Sequence, residues 1–214
     1  MTIQAQTTEN LKMSPLNSFI GDDLADSTSI AAPDGLNVLD ASAYPRARHL
    51  AVSPLEQSGT QIAGWTCFSS ARGSKILLPD LSANSLPNDA PSVPDGYVSD
   101  PAFRNGYWIV LFGSAASAVF KHGCEIDLRP SRFTSEACLQ TVLFHTSVTI
   151  IRHDLQGQPA FHLFGCSSFA HHIHTRLSHL HSLYGGGFTG LEALRHAMKS
   201  PPANTSVSNN SKEV

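Results

Sequence analysis

The chain has 214 residues, enough for one sizeable core or two small ones, and 41% of them are hydrophobic. Only 14% are Asp, Glu, Lys or Arg, against roughly 25% in an average domain, and the formal net charge is −3. That balance excludes a strongly basic nucleic-acid-binding domain and leaves hydroxyls and amides, or burial in an assembly, to keep the chain in solution.

The charge is unevenly spread. Residues 1–107 carry eleven acids and six Lys or Arg, whereas residues 108–214 carry eight Lys or Arg and six acids. Ten of the eleven histidines follow residue 121. The four cysteines, Cys67, Cys124, Cys138 and Cys166, form no C-x-x-C pair. Met1 to Met13 has neither a basic nor an apolar signal segment, so reduced thiols and a cytoplasmic location are expected. The uncharged run Gly106–Phe120 has fifteen residues, too few to span a bilayer, and no membrane association is expected.

Residues 1–35, polar and with Asp22, Asp23 and Asp26 close together, read as a disordered acidic arm. A folded domain over 36–199 follows, and a disordered tail over 200–214 opens with Pro201-Pro202. Within the domain, Asn37–Leu39, His49–Val52, Gln61–Phe68 and Lys75–Leu78 read as strands separated by turn formers. A Pro-rich loop over 79–105 divides the domain. Tyr107–Phe112, aromatic and β-branched, predicts a strand, and Gly113–Ser117 a turn or a short helix. Gly123–Leu128 predicts another strand, and a helix capped by Thr134 or Ser135 runs to about Phe144. Ser147–Arg152 and Ala160–Phe164 form an antiparallel hairpin.

A helix is expected from about Ser168 to Tyr184, because Phe169, Ile173, Leu177, Leu180 and Tyr184 recur at helical spacing. Gly185-Gly186-Gly187 stops it. A last helix begins with Thr189 as cap and Glu192 three residues on, and buries Leu191, Leu194 and Met198. The fold expected is α+β: a mostly antiparallel sheet with the two C-terminal helices packed on one face.

The compositional anomaly is local. Five histidines lie between His171 and His181, and no Asp or Glu occurs from Leu155 to Leu191. On a helical wheel His172, Arg176 and His179 follow one border of the apolar stripe. His174 and His181 follow the other, and His171 points outward. Three readings fit: a solvated amphipathic face, a surface for phosphate or another anion, and a metal site. Metal is disfavoured, because the only cysteine nearby is Cys166 and the nearest acid is Asp154; no metal and no cofactor is expected.

Cys166 stands between a predicted strand and a predicted helix, where the helix dipole favours thiolate. With His162 or His171 as base it would make a Cys–His nucleophile. The layout resembles the elbow of nucleophilic hydrolases, but Phe164 occupies a position where that turn needs a small residue. The function expected is therefore a non-enzymatic binding protein contacting an anionic partner, RNA foremost, through His172, Arg176 and His179. A self-associating, coat-like subunit is the second reading, and a small Cys-dependent hydrolase the third.

Overall fold

A computed structural model describes residues 34–51, 63–70, 73–129, 131–155 and 159–199. The acidic arm, apart from Asp34 and Gly35, and the tail lie outside these residues, as does the 156–158 part of the hairpin connection.

The architecture is α+β, with two mostly antiparallel sheets. The strands in chain order are β1 (Leu36–Asp40), β2 (Ala47–Ala51), β3 (Trp65–Ser69), β4 (Lys75–Pro79), β5 (Tyr97–Ser99), β6 (Tyr107–Phe112), β7 (Cys138–Leu143), β8 (Thr146–Arg152), β9 (Ala160–Gly165) and β10 (Gly186–Thr189). The α-helices are α1 (Pro101–Asn105), α2 (Ala170–Tyr184) and α3 (Leu191–Lys199). Short 3-10 helices span Ala116–His122 and Ser167–Phe169. One sheet has the order β10-β1-β6-β9-β8-β7, with only β10 and β1 parallel; the other has the order β3-β4-β2-β5.

The larger sheet is buried on both sides, which explains why β6 is an unbroken apolar run rather than an alternating one. Tyr107, Ile109 and Leu111 join Val148, Ile150, Phe161 and Leu163 on one face. Ala170, Ile173, Leu177 and Leu180 of α2 cover that face, together with Ala116, Val119 and Phe120. Trp108, Val110 and Phe112 face the other way, onto Phe68, Ile76 and Leu78 of the smaller sheet and Leu191 and Leu194 of α3. The two C-terminal helices therefore lie on opposite faces, not on one as expected. The Gly185–Gly187 linker carries the chain around the sheet edge, and Gly186–Thr189 pairs with β1 on the way.

Several local expectations fail for physical reasons. The 79–105 segment is not one loop. It adds β5 to the smaller sheet, and Asp100 Oδ1 accepts from the Ala102 and Phe103 N–H groups at 3.1 and 3.3 Å to start α1 at Pro101. Cys138–Leu143 is a strand, not a helix. Leu139, Val142 and Leu143 have helical spacing, but pairing with Thr146–Ile151 of β8 buries Leu143 and leaves Val142 exposed. Gly123–Leu128 contributes only an isolated bridge, Cys124 to Leu143. Thr189 belongs to β10 and does not cap α3: its hydroxyl is buried without a partner among the described residues, and Glu192 pairs with Arg195 instead.

Arg46 ties the segment after β1 to the α1 region. Only 3% exposed, it donates to the carbonyls of Ser42, Tyr44, Phe103, Arg104 and Gly106 at 2.6–3.3 Å. Burial lowers its pKa to about 10, although nearby Asp40 opposes the shift and Arg104 adds to it.

Candidate functional site

The two borders of α2 have different fates. His174 stacks on Phe188 of β10 with ring centroids 4.6 Å apart, and His181 meets the same ring edge-on at 5.5 Å. Burial, then the neighbouring His171 and His181, lowers the pKa of His174, with Asp40 acting in the opposite sense. This border is closed by packing. His171 is exposed, and Thr175 and Ser178 return their hydroxyl donors to carbonyls one turn back.

The border carrying Arg176 and His179 opens onto a hollow of about 210 Å³. Its wall is completed by His122 at the end of the 3-10 helix, and by Phe144 and His145 at the tip of the β7–β8 hairpin. His122 and His145 could not be placed there from sequence, because they lie 54 and 31 positions before Arg176 in the chain. No Asp or Glu lines the hollow.

The hairpin tip is held firmly. Phe144 and His145 are consecutive non-glycine residues at φ 49° and 66°, the left-handed pair that a two-residue turn of the primed kind requires. Each costs roughly 1–2 kcal/mol in an L-residue, so surrounding contacts must impose the conformation. Those contacts are visible. The Phe144 N–H donates to the Gly123 carbonyl at 3.0 Å. A Cβ at Gly123 would lie 2.3 Å from Cδ1 of Phe144, so only glycine permits this approach. His172 Nε2 lies 2.8 Å from the Phe144 carbonyl, to which it must donate. His172, expected among the binding residues, is thus committed to anchoring the tip on α2. His122 Nε2 lies 2.6 Å from the Tyr184 hydroxyl, which holds that imidazole.

Cys166 sits elsewhere, on the rim of a larger cavity of about 440 Å³ on the opposite side of the large sheet. Arg48, Asp100, Gln140, Ser147 and Thr149 share that cavity. The thiol is exposed, and contact with the Ser168 side chain and backbone lowers its pKa; desolvation opposes this and Ser167 adds to it. None of the cavity's lining residues is a histidine. His162 is 2% exposed and turned to Trp108, whose Nε1–H donates to its Nδ1 at 3.1 Å. His171 belongs to the exposed surface of α2. Among the described residues, neither histidine expected to serve as a base for Cys166 lines its cavity.

Among the described residues, no group of three His, Cys, Asp or Glu is arranged to hold a metal ion, and no helix is long and apolar enough to cross a membrane.

No protein-family description matches the chain, and no curated protein sequence does. Among solved structures, it resembles a chain of the heterotetrameric sarcosine oxidase from Corynebacterium sp. U-96, solved in complex with pyrrole 2-carboxylate. The match has a TM-score of 0.53 at 14% identity, and covers 90% of this chain and 100% of that one. At that identity the likeness is one of fold.

Proposed function

We propose that this protein works by binding, as a subunit of a larger assembly, and does not carry a catalytic centre of its own. The observation that carries this reading is the extent of the structural likeness. All of one chain of a heterotetrameric oxidase corresponds to 90% of this chain, so the likeness runs subunit to subunit rather than through a shared fragment. Two features support it. The low charge content suits a chain that covers part of its surface with neighbours. Cys166, the exposed cysteine with a lowered pKa, has no histidine in its cavity among the described residues.

Within that role, the Arg176–His179 border of α2 is the face for an anionic partner. A guanidinium and imidazoles, with no carboxylate in the wall, favour negative charge. RNA is the polyanion that fits such a border, although the modest number of Lys and Arg limits its affinity.

The test uses the tagged full-length chain purified from its own cells, with and without ribonuclease. Partner chains retained at fixed stoichiometry after ribonuclease support the assembly. Recovery of the chain alone under both conditions refutes it. Partners lost only with ribonuclease make RNA the bridging component. A Arg176→Glu, His179→Glu double variant that keeps every partner removes the α2 border from the contact.

A further inference from the structure

The geometry points to the hollow between α2, the 3-10 helix Ala116–His122 and the β7–β8 hairpin as a site for a single phosphate-type group. This inference rests on the anionic-face reading of α2 and is independent of the assembly.

Three separate parts of the chain bring nitrogen groups to one small space. Arg176 and His179, three residues apart on α2, share a helix face. His122 comes from the end of the 3-10 helix, and His145 from the hairpin. Among the described residues, Arg176, His145 and His179 have no hydrogen-bond or ion-pair partner, so their donors are uncommitted. The left-handed backbone at Phe144 and His145 is held in place by Gly123 and His172, which fixes where the His145 side chain leaves the main chain at the wall. Backbone strain retained at such a point costs stability and marks it for use.

The chemistry selects the ligand. A planar carboxylate offers two oxygens and would leave part of this donor set facing nothing. A tetrahedral phosphate presents three or four oxygens in different directions and carries up to two charges, matching a guanidinium fork and the two uncommitted imidazoles, with the Tyr184-bound His122 beside them. Size acts in the same direction. At about 210 Å³ the hollow is smaller than the ~300–1,000 Å³ typical of sites that enclose a drug-sized ligand. It takes a head group, and whatever the phosphate is attached to lies outside. The shared chemistry is the phosphate itself, whether free, on a small ester or in a nucleic-acid backbone.

Titration of the full-length protein with inorganic phosphate, followed by the imidazole C–H resonances, tests the site. Shifts concentrated on His122, His145 and His179, saturating together, are expected, with the buried His162 and the outward His171 unmoved. Arg176→Gln should weaken binding roughly tenfold or more, the worth of one charge-assisted contact, and His171→Gln should not alter it. Both residues are exposed, and an unchanged melting temperature shows that the variants fold. Acetate should bind more weakly than phosphate, and sulfate comparably. A short RNA that displaces phosphate identifies a nucleic-acid backbone as the source, while a mononucleotide that does so when RNA cannot identifies a small ester. No saturable shift, shifts shared equally by all exposed histidines, or binding indifferent to Arg176 would overturn the site. Such a failure leaves the assembly untouched, since that is read by co-purification of partner chains.

Discussion

The buried histidine of β9 makes the acid stability of this protein calculable. His162 is enclosed in the core, and the Trp108 indole N–H donates to its Nδ1. A ring that accepts at Nδ1 carries its proton on Nε2, and that atom has no acceptor among the described residues. A second proton would have to enter at Nδ1 and would break the indole contact. Burial therefore lowers the pKa from 6.5 to about 3, and His153, stacked at 5.9 Å, adds to the effect. The unfolded chain binds a proton through this window and the folded chain does not, so stability falls as the pH drops below 6.5. At about 1.4 kcal/mol per pH unit, the loss from His162 alone is about 2 kcal/mol at pH 5 and about 4 kcal/mol near pH 3. A domain with ~5–15 kcal/mol of total stability would register that clearly. The assay is urea unfolding at pH 7.5, 6 and 5 for the wild type and for His162→Gln, whose amide oxygen can accept from Trp108. The variant should lose about 2 kcal/mol less than the wild type between pH 7.5 and 5. A residual slope of the same sign should persist, because burial also lowers His49, His153 and His174. Equal acid sensitivity in the two proteins would refute the neutral, buried assignment.

Three further outcomes are expected. Arg46→Met should cost about 3–5 kcal/mol in urea unfolding, because five carbonyls lose a shared donor; Arg46→Lys should recover less than half, lacking the planar fork. Cys166 should react with iodoacetamide near neutral pH before Cys67 and Cys138, whose thiols are pushed up by burial, as mass mapping of labelled peptides would show; earlier labelling of Cys67 would contradict this. His145→Gly should raise stability by about 1 kcal/mol by relieving a left-handed backbone, while weakening phosphate binding.

Sequence periodicity carries far where one neighbour decides an element. The apolar stripe of α2 appears as Ile173, Leu177 and Leu180 in the core, and β6, β8 and β9 emerge from their β-branched and aromatic runs. It fails where two patterns coincide. Leu139, Val142 and Leu143 suit a helix as well as a strand, and only the presence of β8 alongside decides between them. The hairpin turn was equally hidden, because Phe144-His145 has none of the Gly or Asn that normally announces left-handed angles. The same limit applies to the site. Arg176 and His179 could be placed on one helix border from their spacing. His122 and His145 join them only through long-range packing, which depends on the absence of a side chain at Gly123.

The mass of the native complex is the most direct measurement of whether this chain acts as a subunit. Native mass spectrometry of the tagged protein, isolated from its own cells and treated with ribonuclease, should give one dominant species holding this 214-residue chain with different polypeptides in fixed ratio. A mass corresponding to this chain alone, as monomer or as homo-oligomer, would contradict it.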